Sequence, residues 1–185
     1  MNVRPPSGPR VVVVTGIPGS GKSTVGTLLA RRFDPSVLIE GDVLRRMVVT
    51  GRAEMSPDPT PQALRQYELR LRHLAMLTRS YAAEGFTVIA EDNLLGEHLE
   101  RFIGMLGDVR PCHVVVLAPR PETVLCRDAG RAHQAYDGQG WGARELDEVF
   151  RRDTARIGLW LDTTGQKEEE TVRDILDRLG ESALS

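Results

Sequence analysis

Gly16-Ile17-Pro18-Gly19-Ser20-Gly21-Lys22-Ser23-Thr24 follows the apolar run Val11-Val12-Val13-Val14 and leads into residues 24–32, which read as a helix. The stretch fits G-x-x-x-x-G-K-[ST], and a buried strand before it with a helix after it is the context in which that pattern binds phosphate. Such a turn gathers backbone N–H groups into an anion-binding concavity at a helix N-terminus. Glycines suit it because side chains would block the approach of the phosphates and the φ angles of the turn. Lys22 is then placed to reach the β- and γ-phosphates of a nucleoside triphosphate, and the Ser23 hydroxyl to ligate Mg²⁺. Gly16, Pro18, Gly19, Ser20, Gly21 and Thr24 are expected to line the same phosphate site.

The 185 residues suit one domain, 1–185, with residues 1–9 as a flexible N-terminus and a core that needs neither disulfide nor metal. A net charge of −2 gives no long-range attraction to nucleic acid or to acidic membranes. No apolar run reaches transmembrane length, and residues 1–9 lack the apolar region of a signal peptide. Cys112 and Cys126 fit no metal or redox spacing and read as two reduced core thiols. These features point to the cytoplasm. Lys22 and Lys167 are the only lysines, so 22 of the 24 basic residues are arginine. A single arginine therefore carries little functional weight here, and the lysine at position 22 carries more.

Apolar runs alternate with helical patterns along the whole chain, which predicts an α/β fold with a parallel sheet. The expected strands are residues 11–15, 37–40, 86–90, 113–117 and 157–161, each short and nearly continuous in apolar character. The longest predicted helix covers residues 61–83. Leu64, Tyr67, Leu71, Leu74, Thr78 and Tyr81 form its core stripe, opposite Arg65, Glu68, Arg72 and Arg79. A final helix is expected over 168–179, with three glutamates in its first turn and Gly180 as its C-cap. Residues 50–61, with Gly51, Pro57, Pro59 and Pro61, read as a mobile loop.

Further candidates follow from position. Asp42 comes after the second strand, and in a doubly wound sheet ligands sit outside the carboxyl ends of strands. There it could take the proton of an attacking hydroxyl, or it could simply cap the helix predicted over 43–49. Arg45, one turn on, could hold the acceptor or a transferring phosphate, or stand in solvent. Glu91 and Asp92 end the third strand in the arrangement that serves Mg²⁺ or the acceptor, and alternation along a strand gives them different tasks. Asn93 adjoins them on the acceptor side. Arg127 and Arg131 share a helical face within a lid region, 119–156, where they could neutralise phosphate charge or form an ordinary surface pair. Asp162-Thr163-Thr164-Gly165 follows the fifth strand, where Thr163 and Thr164 could line the nucleotide or form a capped turn. The four histidines form no metal spacing; His73 and His113 read as structural, and His133 lies beside the lid.

On these residues the chain, from Val11 to Leu179, resembles the small P-loop kinases, chloramphenicol phosphotransferase-like proteins in particular. Shikimate, gluconate and adenylylsulfate kinases look like more distant relatives. The resemblance implies a three-layer P-loop NTPase fold, a five-stranded parallel sheet in the order 2-3-1-4-5, and a short lid. It also implies Asp42 as the base. The chain departs from the chloramphenicol enzymes around the acceptor pocket, at residues 50–61 and 93–97.

The expected activity is transfer of the γ-phosphoryl group of ATP, with Mg²⁺, to a hydroxyl of a small molecule such as an antibiotic or another natural product. A regulatory ATPase without an acceptor is the alternative from another class. A polynucleotide 5′-hydroxyl kinase is the third, suggested by Asp42 and Arg45 and opposed by the mildly acidic charge. No membrane partner is expected, and nucleic acid is disfavoured.

Overall fold

The computed structural model describes residues 11–130, 135–136, 140 and 142–184. Five strands, β1 (Val11–Thr15), β2 (Ser36–Glu40), β3 (Thr87–Glu91), β4 (Cys112–Leu117) and β5 (Leu159–Leu161), form one sheet in the order β2-β3-β1-β4-β5. Every neighbouring pair is parallel, with Val13 opposite Ala90 on one side and Val114 on the other. Among the described residues, seven helices connect and flank the strands. They are α1 (Lys22–Ala30), α2 (Gly41–Arg46), α3 (Pro61–Ala83), α4 (Glu97–Leu106), α5 (Pro121–Ala129), α6 (Ala143–Asp153) and α7 (Glu168–Asp177), followed by a 3-10 turn at Leu179–Ser182.

The period of two along each strand divides the core into two layers. Val11 and Val13, Val88 and Ala90, and Val114 and Val116 face Leu71 and Leu74 of α3, Phe102 of α4 and Phe150 of α6. Val12 and Val14, Ile89, and Val115 and Leu117 face Leu29 of α1 and Ile175 of α7. Because both faces are covered, the strands read as unbroken apolar runs, and burying them supplies the main driving force for the fold.

Element boundaries follow local chemistry. Thr60 caps α3 by accepting a hydrogen bond from Ala63 N at 3.1 Å, with Pro61 at the first helical position. The helix starts where the sequence predicts. Its core stripe is shorter than expected: Tyr67, Leu71, Leu74 and Thr78 are buried, but Leu64 and Tyr81 at the ends are exposed. The strand expected from residue 157 starts only at Leu159. Gly158 has φ 71°, and a side chain there would overlap the carbonyl of Val114. Gly180 is not the C-cap of α7, which ends at Asp177; it lies inside the 3-10 turn.

Three further expectations are corrected. Cys112 is buried but Cys126 is exposed, so the two do not form a pair of core thiols. His73 is exposed on α3, whereas His113 is buried against Leu179 O at 3.0 Å and Ser182 Oγ at 3.1 Å. The loop read as mobile is tied to α3: Gln66 donates to Gly51 O at 2.7 Å and accepts from Ala53 N at 2.9 Å. Among the described residues, no helix is long and apolar enough to cross a membrane.

Candidate nucleotide and acceptor site

The chain leaves β1 at Thr15 and turns through Gly16, Gly19 and Gly21, which have φ 149°, 83° and 98°. These angles favour glycine, and space demands it as well. A side chain at Gly16 would overlap Leu117 O, and one at Gly19 would come within 2.8 Å of Val124 Cγ1 on α5. Lys22 and Ser23 open α1 directly after this turn, so α1 begins two residues earlier than the sequence suggests. Lys22 is buried and its Nζ donates to Ile17 O at 3.1 Å, across the turn it would serve. Ser20 is buried with no hydrogen-bond partner for its hydroxyl, while Ser23 and Thr24 are exposed.

Glu91 and Asp92 separate as strand alternation requires. Glu91 falls on the α1 face, where Ser23 Oγ donates to its Oε1 at 3.0 Å. Its second oxygen, Oε2, is buried without a hydrogen-bond partner. Burial pushes the Glu91 carboxyl above its ordinary pKa, opposed by the charge of Lys22 and the bond from Ser23. A buried, half-satisfied carboxylate beside an exposed serine hydroxyl fits a divalent cation carried by a nucleotide, so Ser23 and Glu91 are the pair that could hold Mg²⁺. Among the described residues no cluster of three His, Cys, Asp or Glu side chains could hold a metal by itself.

Asp92 falls on the opposite face and has a different partner. Its Oδ2 lies 2.8 Å from Arg70 Nε of α3, an ion-pair distance without hydrogen-bond alignment, and its Oδ1 accepts from Asn93 N at 2.7 Å. The Arg70 guanidinium also lies 4.6 Å from the centre of the Tyr67 ring, and the Tyr67 hydroxyl donates to Asn93 O at 2.8 Å. Burial pushes the Asp92 carboxyl upward, and Arg70 opposes it. The same carboxylate packs onto Gly41 so closely that any side chain there would overlap it. Asp92 thus sits beneath the first turn of α2. Of the two acidic residues, Glu91 lies with Ser23 and Asp92 does not.

Asp42 is in the first turn of α2, and Glu40 occupies the cap position, so capping does not account for Asp42. Its exposed carboxylate lies 3.1 Å from Arg45 Nε and 3.9 Å from Arg46. Arg45 also reaches Glu54 at 2.6 Å, so it is neither free in solvent nor directed at the loop of Gly16 to Ser23.

Arg127 behaves differently from the phosphate-directed arginine expected. Its guanidinium donates to three carbonyls, Ser20 O at 3.2 Å, Thr163 O at 3.2 Å and Gln166 O at 3.3 Å. It therefore joins the glycine-rich turn to the loop after β5. In that loop Thr164 N donates to Asp162 Oδ1 at 2.9 Å, and Thr164 Oγ1 accepts from Arg120 N at 2.8 Å. Arg131 and His133 lie outside the described residues. Sequence reasoning missed Arg70 and Tyr136, whose hydroxyl donates to Pro18 O at 2.9 Å. Neither carries a local signal, because each acts on a segment far away in the chain.

The model of the AAA domain family matches residues 11–154. A curated relative, a UPF0200 protein of Aeropyrum pernix, is 31% identical over an alignment of 94 residues; the match covers 46% of this chain and spans half the length of that relative. Among solved structures, an APS kinase of Mycobacterium tuberculosis in complex with AMPPNP and APS aligns with a TM-score of 0.71 and 21% identity, covering 95% of this chain and 99% of the other. A sugar kinase from Janibacter sp. HTCC2649 aligns with a TM-score of 0.65 and 22% identity, covering 94% and 96%. At these identities the likeness is one of fold. By the match over most of its length, the chain belongs to the AAA domain family.

Proposed function

We propose that the protein is an ATP- and Mg²⁺-dependent phosphotransferase acting on a hydroxyl of a small molecule, with natural products such as antibiotics as the candidate acceptors. The observation that carries this reading is the pairing of Ser23 with Glu91 beside Lys22, at the same edge of the sheet as Asp42. In this reading the glycine-rich turn and Lys22 hold the triphosphate, and Ser23 and Glu91 hold Mg²⁺, which neutralises phosphate charge when bound. The acceptor oxygen attacks the γ-phosphorus, the bond from that phosphorus to the β–γ bridging oxygen breaks, and ADP leaves. The hydroxyl proton passes to Asp42, which the pairs with Arg45 and Arg46 hold at the end of β2.

The fold shared with kinases supports transfer to an acceptor. Hydrolysis without an acceptor has the family's AAA description in its favour. Labelled ATP separates the two. Label entering an added alcohol, and falling about a hundredfold in Asp42→Asn while ATP binding persists, supports transfer. Label leaving only as free phosphate, whatever alcohol is added, rejects it.

A further inference from the structure

We propose that the outer face of α3 docks an acidic amphipathic helix of a partner protein. Arg65, Leu69, Arg72, Met76, Arg79 and Ala83 follow one another at alternating steps of four and three residues, so they form a single stripe along the helix. All six are exposed, Met76 to 60% and Leu69 to 39%. Arginine and apolar residue alternate along the stripe, while Tyr67, Leu71, Leu74 and Thr78 bury another side of α3 in the core. From Arg72 to Ala83 the stripe borders a groove of about 660 Å³, completed by Met105 near the end of α4 and by Val109. The groove joins these side chains into one surface, and a helix laid in it makes apolar contacts every three or four residues. Ala83 comes just before β3 and Val109 just before β4, whereas the glycine-rich turn follows the far end of β1. In a parallel sheet that puts the groove at the opposite edge from the phosphate site.

The charges select the occupant. Arg65, Arg72 and Arg79 have no ion pair among the described residues, whereas Arg70, the fourth arginine of the helix, pairs with Asp92. Glu68 lies one helical turn from both Arg65 and Arg72, but it is held by Arg101 of α4 at 2.8 Å. Three guanidiniums about 10 Å apart, with an apolar side chain between successive ones, match carboxylates at the same interval on an equally amphipathic body. A second copy of this chain does not supply them. Laid parallel on itself, α3 puts arginine on arginine; laid antiparallel, it puts arginine on leucine or methionine. A phosphate backbone has no use for Leu69 and Met76, and the net charge of −2 opposes it.

The test titrates full-length protein by calorimetry with helical peptides of three heptads. In two of them glutamate and leucine alternate at the steps of the α3 stripe, one for each chain direction; their counterparts carry lysine in place of glutamate. The better acidic peptide should bind at least about tenfold more tightly than its lysine counterpart. Arg72→Glu/Arg79→Glu should reverse that order, and Met76→Gln should weaken the acidic peptide about fivefold. Both variants should keep the circular dichroism spectrum and the ATP affinity of the unmodified protein, since the groove lies away from the phosphate site. No heat from either acidic peptide, or equal affinity for the lysine counterparts, overturns the inference. An unmoved preference in the double variant overturns it as well. So does tighter binding of phosphatidylglycerol vesicles or of a single-stranded oligonucleotide that is lost in the double variant, which assigns the face to a membrane or to nucleic acid instead.

Discussion

The Ser23 hydroxyl donates to Glu91 Oε1 across 3.0 Å, joining the first turn of α1 to the end of β3. The two residues are 68 positions apart in the chain, and the contact exists only because β3 pairs directly with β1. It puts the Ser23 hydroxyl and a half-satisfied carboxylate on one face of the sheet, within the field of Lys22.

Lys22→Ala removes the one ammonium at the glycine-rich turn. Turnover should fall by about 10²–10³-fold, the range for losing a preorganised donor to developing charge. ADP release measures it, with circular dichroism to show that the fold persists. A variant that keeps near-normal turnover would remove Lys22 from the chemistry.

Glu91→Gln tests the pH dependence. Burial raises the folded-state pKa of Glu91 above its ordinary value of 4.5, so the folded protein holds that proton more tightly than the unfolded chain. Its contribution to stability is thus fully present below that value and is lost as pH rises through the folded pKa. Replacing it by the neutral amide should raise the neutral-pH Tm of the nucleotide-free protein and flatten this part of the pH profile. The same variant should weaken Mg²⁺-dependent ATP binding by at least about tenfold. Thermal melts from pH 4 to 8 and calorimetry are the two readouts, and an unchanged melting profile would contradict the burial argument.

Arg70→Met leaves Asp92 buried without its partner and should cost about 3–5 kcal/mol of stability. The double variant Arg70→Met/Asp92→Asn should recover most of that loss, because the orphaned charge is gone. Denaturant unfolding of the two single variants and the double variant gives the coupling. Strictly additive losses would mean that the 2.8 Å pair contributes nothing.

Arg127→Lys keeps a positive charge but loses the planar fork that spans three carbonyls. Nucleotide affinity should fall by about tenfold, since the glycine-rich turn and the loop after β5 would no longer be held together. Calorimetry with a non-hydrolysable ATP analogue checks this, and an affinity equal to that of the unmodified protein would deny Arg127 a positioning role.

What the sequence by itself determined is what local chemistry dictates. Four valines feeding a glycine-rich turn name the phosphate loop, and a 3.6-residue apolar stripe places α3 over 61–83, because a turn and a periodicity need only near neighbours. Alternation along β3 even separates Glu91 from Asp92, though not which faces what. Only the tertiary structure decided that Glu91 meets Ser23, that Asp92 is spoken for by Arg70 and braced on Gly41, and that Arg127 grips main chain. Those outcomes depend on which helix covers which face of the sheet, and burial and pairing between segments tens of residues apart leave no trace in a local pattern.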